Sequence, residues 1–228
     1  MAIGRVINEH SGLFPDFDEI VKKIGYDVYH SNWELQLFLQ IPNLTKADVL
    51  EYFEHFIMDF ALNGDGEVDS IFMVINKGLA INNPNPTYIS EHINVVGQLF
   101  LAGYIEFGMC GLQDKEENLL SKQKPDKYQS WIHFRDNFFY AEAYYKDILD
   151  LRERYPNMSD EDYVNSTWNT PQYWDKYRFW VATTERGEKY FNESLSPKFY
   201  NKYKDLEVEI DDKGNIIKWI GKINRQQD

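Results

Sequence analysis

Residues 87–108 read TYISEHINVVGQLFLAGYIEFG. Ile89, Ile93, Val96, Leu99 and Phe100 recur at steps of three, four and one, which lays a single apolar stripe along a helix. Gly103 then stands where a left-handed cap would stop that helix, and Tyr104-Ile105-Glu106-Phe107 alternates like a strand. Far downstream, 179–191 (FWVATTERGEKYF) reads as a second strand followed by a helix.

A helix that runs through a glycine into an aromatic–Ile strand resembles the third helix and first wing strand of a winged helix-turn-helix domain. The 179–191 stretch is similar to that fold's closing strand and the helix after it. The resemblance implies an α+β fold, mostly helical, with a winged-helix-like element.

The 228 residues are 43% apolar and 16% aromatic, enough to bury a sizeable core and too apolar for a disordered chain. A net charge of −13 disfavours non-specific binding to nucleic acid, which draws its affinity from clustered Lys and Arg. Cys110 is the single cysteine, so an intramolecular disulfide and a cysteine zinc cluster are both excluded. The opening MAIGRVINEHSGLF lacks the charged and apolar regions of a secretion signal. No apolar run approaches the roughly 20 residues of a membrane span. A cytoplasmic location without a membrane partner is expected.

Along the chain, 1–32 reads as irregular apart from a helical candidate at 16–24, and 33–41 (WELQLFLQI) alternates like a half-buried strand. Thr45 as N-cap with Asp48 three residues on predicts a helix over 45–62. A turn at 63–66, a helix or strand at 68–76 and a loop at 82–86 follow. Residues 114–127 (DKEENLLSKQKPDK) read as an exposed loop, 131–155 as one long helix, and Ser159 with Asp162 as the start of a short one. Residues 192–205 read as aromatic and irregular. Two alternating runs at 206–210 and 216–223 predict a C-terminal β-hairpin. One intertwined domain over 1–228 is expected, with 1–80 as a candidate N-terminal subregion.

Chemical signatures are sparse. Residues 63–69 (NGDGEVD) match the middle of a calcium loop, but Ala61 and Phe72 stand where its first acid and its bidentate Glu belong. Glu51, His55 and Asp59 fall at i, i+4 and i+8; a helical wheel sets them opposite Phe53, Phe56 and Phe60, on a solvated ridge with no fourth ligand. No nucleophile elbow, HExxH, Walker loop or dinucleotide fingerprint occurs. The helix at 87–103 offers Asn94 and Gln98 to a DNA groove but carries no Lys or Arg. No cofactor, no metal site and no nucleic-acid partner are expected.

Charge is distributed unevenly. Residues 45–70 hold seven acids against Lys46 alone. Such a segment predicts a docking surface for a basic protein, formed by Asp48, Glu51, Tyr52, Glu54, His55, Asp59, Asp65 and Glu67. In size, acidity and lack of catalytic motifs the chain is similar to immunity and antitoxin proteins, which implies a non-enzymatic inhibitor occluding a basic, nuclease-type toxin. The alternatives are a homodimeric winged-helix regulator and an enzyme using scattered carboxylates and tyrosines.

Overall fold

A computed structural model describes residues 2–9, 13–16, 33–63, 88–110, 118–140, 155–213 and 215–225. In chain order its elements begin with strand β1 (Ala2–Arg5) and helices α1 (Trp33–Phe38), α2 (Lys46–Asn63) and α3 (Ile89–Ala102). Strand β2 (Ile105–Met109), helices α4 (Lys127–Phe134) and α5 (Asp160–Val164), strand β3 (Phe179–Thr183) and helix α6 (Glu185–Tyr190) follow. Helix α7 (Ser196–Tyr203) and strands β4 (Glu207–Ile210) and β5 (Ile216–Ile220) close the chain. The fold is α+β. It divides into two compact units, the first formed by Met1–His55 with Tyr190–Asp228 and the second by Phe56–Lys189.

The first unit holds an antiparallel three-stranded sheet in the order β1-β4-β5. Gly4 faces Val208 and Val208 faces Trp219, and the β4–β5 register shifts between Glu209 and Ile210. Val208 and Ile210 are buried while Glu207 and Glu209 are half-exposed, the period of two that a one-sided sheet imposes. The predicted hairpin is present: Asp211 closes its turn by accepting from the backbone of Lys213 and Asn215, both at 2.8 Å. Strand β1 falls in a stretch expected to be irregular. Four residues carry almost no periodicity, and the partner that makes them a strand lies at the other end of the chain.

Residues 33–38 form a helix, not the predicted strand. Buried Leu35 and Phe38 lie three residues apart, whereas Leu37 and Leu39, which completed the alternation, are only half-buried. Phe38 packs against Tyr52 at 4.6 Å and Tyr203 at 5.4 Å, so a ring cluster sets the period. Tyr203 belongs to α7, which follows a π-helical turn at Phe191–Leu195; of the expected irregular stretch 192–205, residues 192–203 are therefore helical and 204–205 form a turn.

In the second unit α3 ends on Gly103 at φ +76°, a left-handed cap whose geometry favours glycine. Strand β2 follows and pairs antiparallel with β3, Phe107 opposite Val181. Phe107 sits among Phe100 (5.8 Å), Phe134 (5.2 Å) and Phe139 (6.1 Å), rings drawn from α3, α4 and the π-helical turn Arg135–Phe139. Asp126 caps α4 by accepting from the Gln129 amide at 2.7 Å, so the helix begins before residue 131. Within the expected loop, Asn118 and Leu120 are buried and Leu120–Lys122 forms a 3-10 turn. The expectations at 17–24, 64–86 and 141–154 lie outside the described residues. Among the described residues no helix is long and apolar enough to cross a membrane.

Candidate functional site

The predicted docking segment occupies α2. Thr45 and Asp48 form the expected capping box: the Thr45 amide and hydroxyl each donate to the Asp48 carboxylate at 2.7 Å, and the Asp48 amide donates back to Thr45 Oγ1 at 3.3 Å. Asp48 is 0% exposed. Lys202 (2.7 Å) and Arg225 (2.8 Å) pair with it as well. Burial alone would raise its pKa; hydrogen bonds from Arg225, Lys202 and Thr45 outweigh burial and hold it well below the usual carboxylate range. Glu51, also buried, pairs with Lys198 at 3.0 Å and with Lys202.

The remaining members of that segment are occupied too. Tyr52 is buried in the ring cluster, and burial raises its pKa. Glu54 accepts from the Tyr190 hydroxyl at 2.7 Å. His55 stacks on Phe199 at 4.3 Å, and burial pushes its pKa down to about 4. Asp59 accepts from the Asn63 side chain at 2.8 Å, with its pKa raised by burial.

The solvated ridge of Glu51, His55 and Asp59 is thus corrected. Glu51 is buried, His55 and Asp59 are half-buried, and Phe56 and Phe60 are no more buried than those two. The wheel found the period of α2 but not its phase, because apolar residues occur on both sides. Lys198, Lys202 and Arg225, which neutralise the acids at the start of α2, come from the far end of the chain. Asp65 and Glu67 lie outside the described residues.

A second acidic region stands in the second unit, between Tyr155 and Arg178. Helix α5 starts from the predicted capping box, with the Ser159 hydroxyl donating to Asp162 at 2.7 Å. After α5 the chain is irregular, and buried anchors hold it. Arg178 is only 6% exposed. Its Nε donates to Ser166 Oγ at 2.7 Å, and Nη2 donates to the carbonyls of Val164 (2.6 Å) and Ser166 (3.3 Å). Its guanidinium also lies 5.2 Å from the centre of the Tyr163 ring.

Two tryptophans fix the rest. Trp168 Nε1 donates to the Asn118 carbonyl at 2.8 Å, and Trp174 Nε1 to the Thr167 carbonyl at 2.9 Å. Asn118 in turn holds both backbone groups of Met109 at the end of β2. His133 Nε2 lies 2.9 Å from the Trp168 carbonyl. Tyr163 donates to Asp175 at 3.2 Å, and its pKa is pushed up to about 12, by burial first and then by the Asp175 charge. The same Asp175 oxygen caps the next turn through the Tyr177 amide at 3.0 Å.

This fixed framework presents apolar and acidic groups to solvent. Val164 is 62% exposed, Tyr177 56% and Tyr155 37%. Asp160, Glu161 and Asp162 are exposed within the same stretch. The raised pKa keeps the Tyr163 hydroxyl protonated near neutral pH, and among the described residues no group of three or more His, Cys, Asp or Glu could hold a metal ion. Exposed rings of this kind lose little entropy on contact, and the same stretch of chain carries exposed carboxylates. No protein-family model, curated protein or solved structure matches the chain.

The sequence reading gave 155–178 no binding role. Its signal was available in composition, a run of Tyr, Trp, Asn, Thr and Pro without helical or strand period.

Proposed function

We propose that the protein is a non-enzymatic binding protein that engages a basic protein partner through the 155–178 surface. The observation that carries this reading is a segment pinned by buried Arg178 along which Tyr155, Val164, Tyr177 and the three acids of α5 are all exposed. Aromatic and aliphatic contacts supply affinity at the centre of such an interface, while acids at its rim steer a cationic partner and speed its approach. A net charge of −13 adds to that steering. The biological role that fits is an immunity or antitoxin-type inhibitor, which covers the polyanion-binding face of a basic toxin and so occludes its substrate. The acids at the start of α2 contribute to the fold in this reading and not to the contact.

The test uses the full chain as bait. Wild type and an Asp160→Lys/Glu161→Lys/Tyr177→Ser variant are immobilised, and basic proteins retained from native lysate at low salt are compared. Wild type should retain a basic protein that the variant loses, with association slowed by added salt. Equal retention by the two baits would remove the 155–178 surface from the function.

The runner-up is a winged-helix regulator. Asn94 and Gln98 are exposed on α3, which runs through Gly103 into the β2–β3 pair, and that observation favours it. The same helix offers no cation for phosphates. Enrichment of a sequence motif from a random DNA pool would put this reading first.

A further inference from the structure

A cavity of about 160 Å³ opens in the first unit beside the ion pairs of α2. Ile41, Leu206, Trp219 and Ile223 supply apolar walls, and Lys222 and Arg225 supply cations. The two cations are in different states. Arg225 is committed: its Nη2 donates to Asp48 at 2.8 Å and to the Asn43 carbonyl at 2.8 Å, and Nη1 donates to Asp48 at 3.3 Å. Lys222 has no acid partner among the described residues. Asp205, whose carbonyl packs against Gly221 in the same wall, accepts from the Asn224 side chain at 2.7 Å.

The walls are fixed in place. Asn224 donates from its amide to the Lys202 carbonyl at 2.8 Å, which ties the chain after β5 to α7. Gly221 adopts φ +85°, and a Cβ there would come within 2.0 Å of the Asp205 carbonyl, so the backbone runs this close only because the residue is glycine. The cavity is therefore formed before any ligand arrives, apolar on several sides and lined by Lys222, which pairs with no acid among the described residues. The cavity opens to solvent and is lined by polar as well as apolar surface, and its volume is about that of a single benzene-sized ring.

We propose that this cavity binds a small planar carboxylate, with its ring among Ile41, Leu206, Trp219 and Ile223 and its carboxylate on the Lys222 ammonium. The cavity itself has room for one ring. Among the described residues Lys222 is the one lining cation without an acid partner, which fits a monoanion better than a phosphate diester with a bulky second arm. Arg225 acts as a wall, because moving it to a ligand would leave buried Asp48 short of a partner. The site lies in the first unit and stands independently of the 155–178 surface.

The test follows tryptophan indole resonances of the full chain by proton–nitrogen NMR, with Trp219 assigned through Trp219→Phe. Benzoate should shift the Trp219 resonance saturably, and benzamide, its neutral counterpart of nearly equal shape, should bind about tenfold more weakly. Acetate, which lacks the ring, should produce no saturable shift. Lys222→Met should weaken benzoate about tenfold, whereas Lys213→Met in the β4–β5 turn should leave its affinity unchanged. Absence of a saturable shift up to about 10 mM benzoate would overturn the proposal, as would equal affinity for benzoate and benzamide or an unaffected Lys222→Met variant.

Discussion

Two helices in this protein begin with the same local device and meet opposite tertiary fates. Thr45 with Asp48 opens α2, and Ser159 with Asp162 opens α5; in both, hydroxyl and carboxylate satisfy each other's backbone amides. Asp48 is buried and shared by Lys202 and Arg225. Asp162 is exposed, and its lowered pKa comes from the Ser159 hydroxyl and backbone hydrogen bonds. A capping box thus fixes where a helix starts and says nothing about whether its acid faces a partner protein or the chain itself. In the first case the carboxylate organises a core. In the second it stays exposed and bonds only within its own cap among the contacts described.

The comparison breaks most sharply at Asp48. Replacing Asp48 with Asn should cost about 3–5 kcal/mol, because Lys202 and Arg225 then lose their shared buried counter-charge. Asp162→Asn should lose only a small fraction of that, its acid being exposed. Urea denaturation of both variants checks the pair; similar losses would mean that the buried ion cluster adds nothing beyond the cap.

Acid titration sharpens the contrast next. The folded-state pKa of Asp48 is depressed, so its stabilisation is complete above about pH 4 and disappears as pH falls below that value. His55 and His92 are also depressed, to about 4 and about 3, both chiefly by burial. Below their unfolded value of about 6.5 the unfolded chain binds protons that these folded imidazoles refuse, so stability falls with pH from about 6.5 downward. His55→Phe should remove part of that slope, on the order of 2 kcal/mol between pH 7 and 4 after allowing for its partial exposure. A pH series of unfolding midpoints with an unchanged slope would show that His55 does not carry it.

A smaller effect is expected in the second unit. Arg178→Met should cost about 1–3 kcal/mol by leaving the Ser166 hydroxyl and the Val164 carbonyl without their donor. It should also raise amide exchange across 163–178 and speed partner dissociation. Unchanged exchange there would mean that Trp168 and Trp174 hold the segment alone. Least of all, Asp160→Lys with Glu161→Lys should leave the unfolding midpoint nearly unmoved while slowing association several-fold at low salt, with the difference vanishing at high salt. Association rates that ignore both charge and salt would leave the acids of α5 as a solvated helix start.

Local chemistry made several elements legible. The caps of α2 and α5, the helix at 89–102 with its glycine stop, the strand after it, and the β4–β5 hairpin with its Asp211 turn all rest on contacts within a few residues, which the sequence spells out. The tertiary structure alone decided whatever depended on remote partners. Strand β1 exists because β4 supplies its hydrogen bonds, and 33–38 is helical because Phe38 meets Tyr52 and Tyr203. Asp48 and Glu51 are core residues because α7 and the chain after β5 return with Lys198, Lys202 and Arg225. The sequence determined the period of α2 and the sign of its charge. Its phase was set by cations roughly 150 or more residues away, since a buried carboxylate is stable only where opposite charge and hydrogen-bond donors meet it.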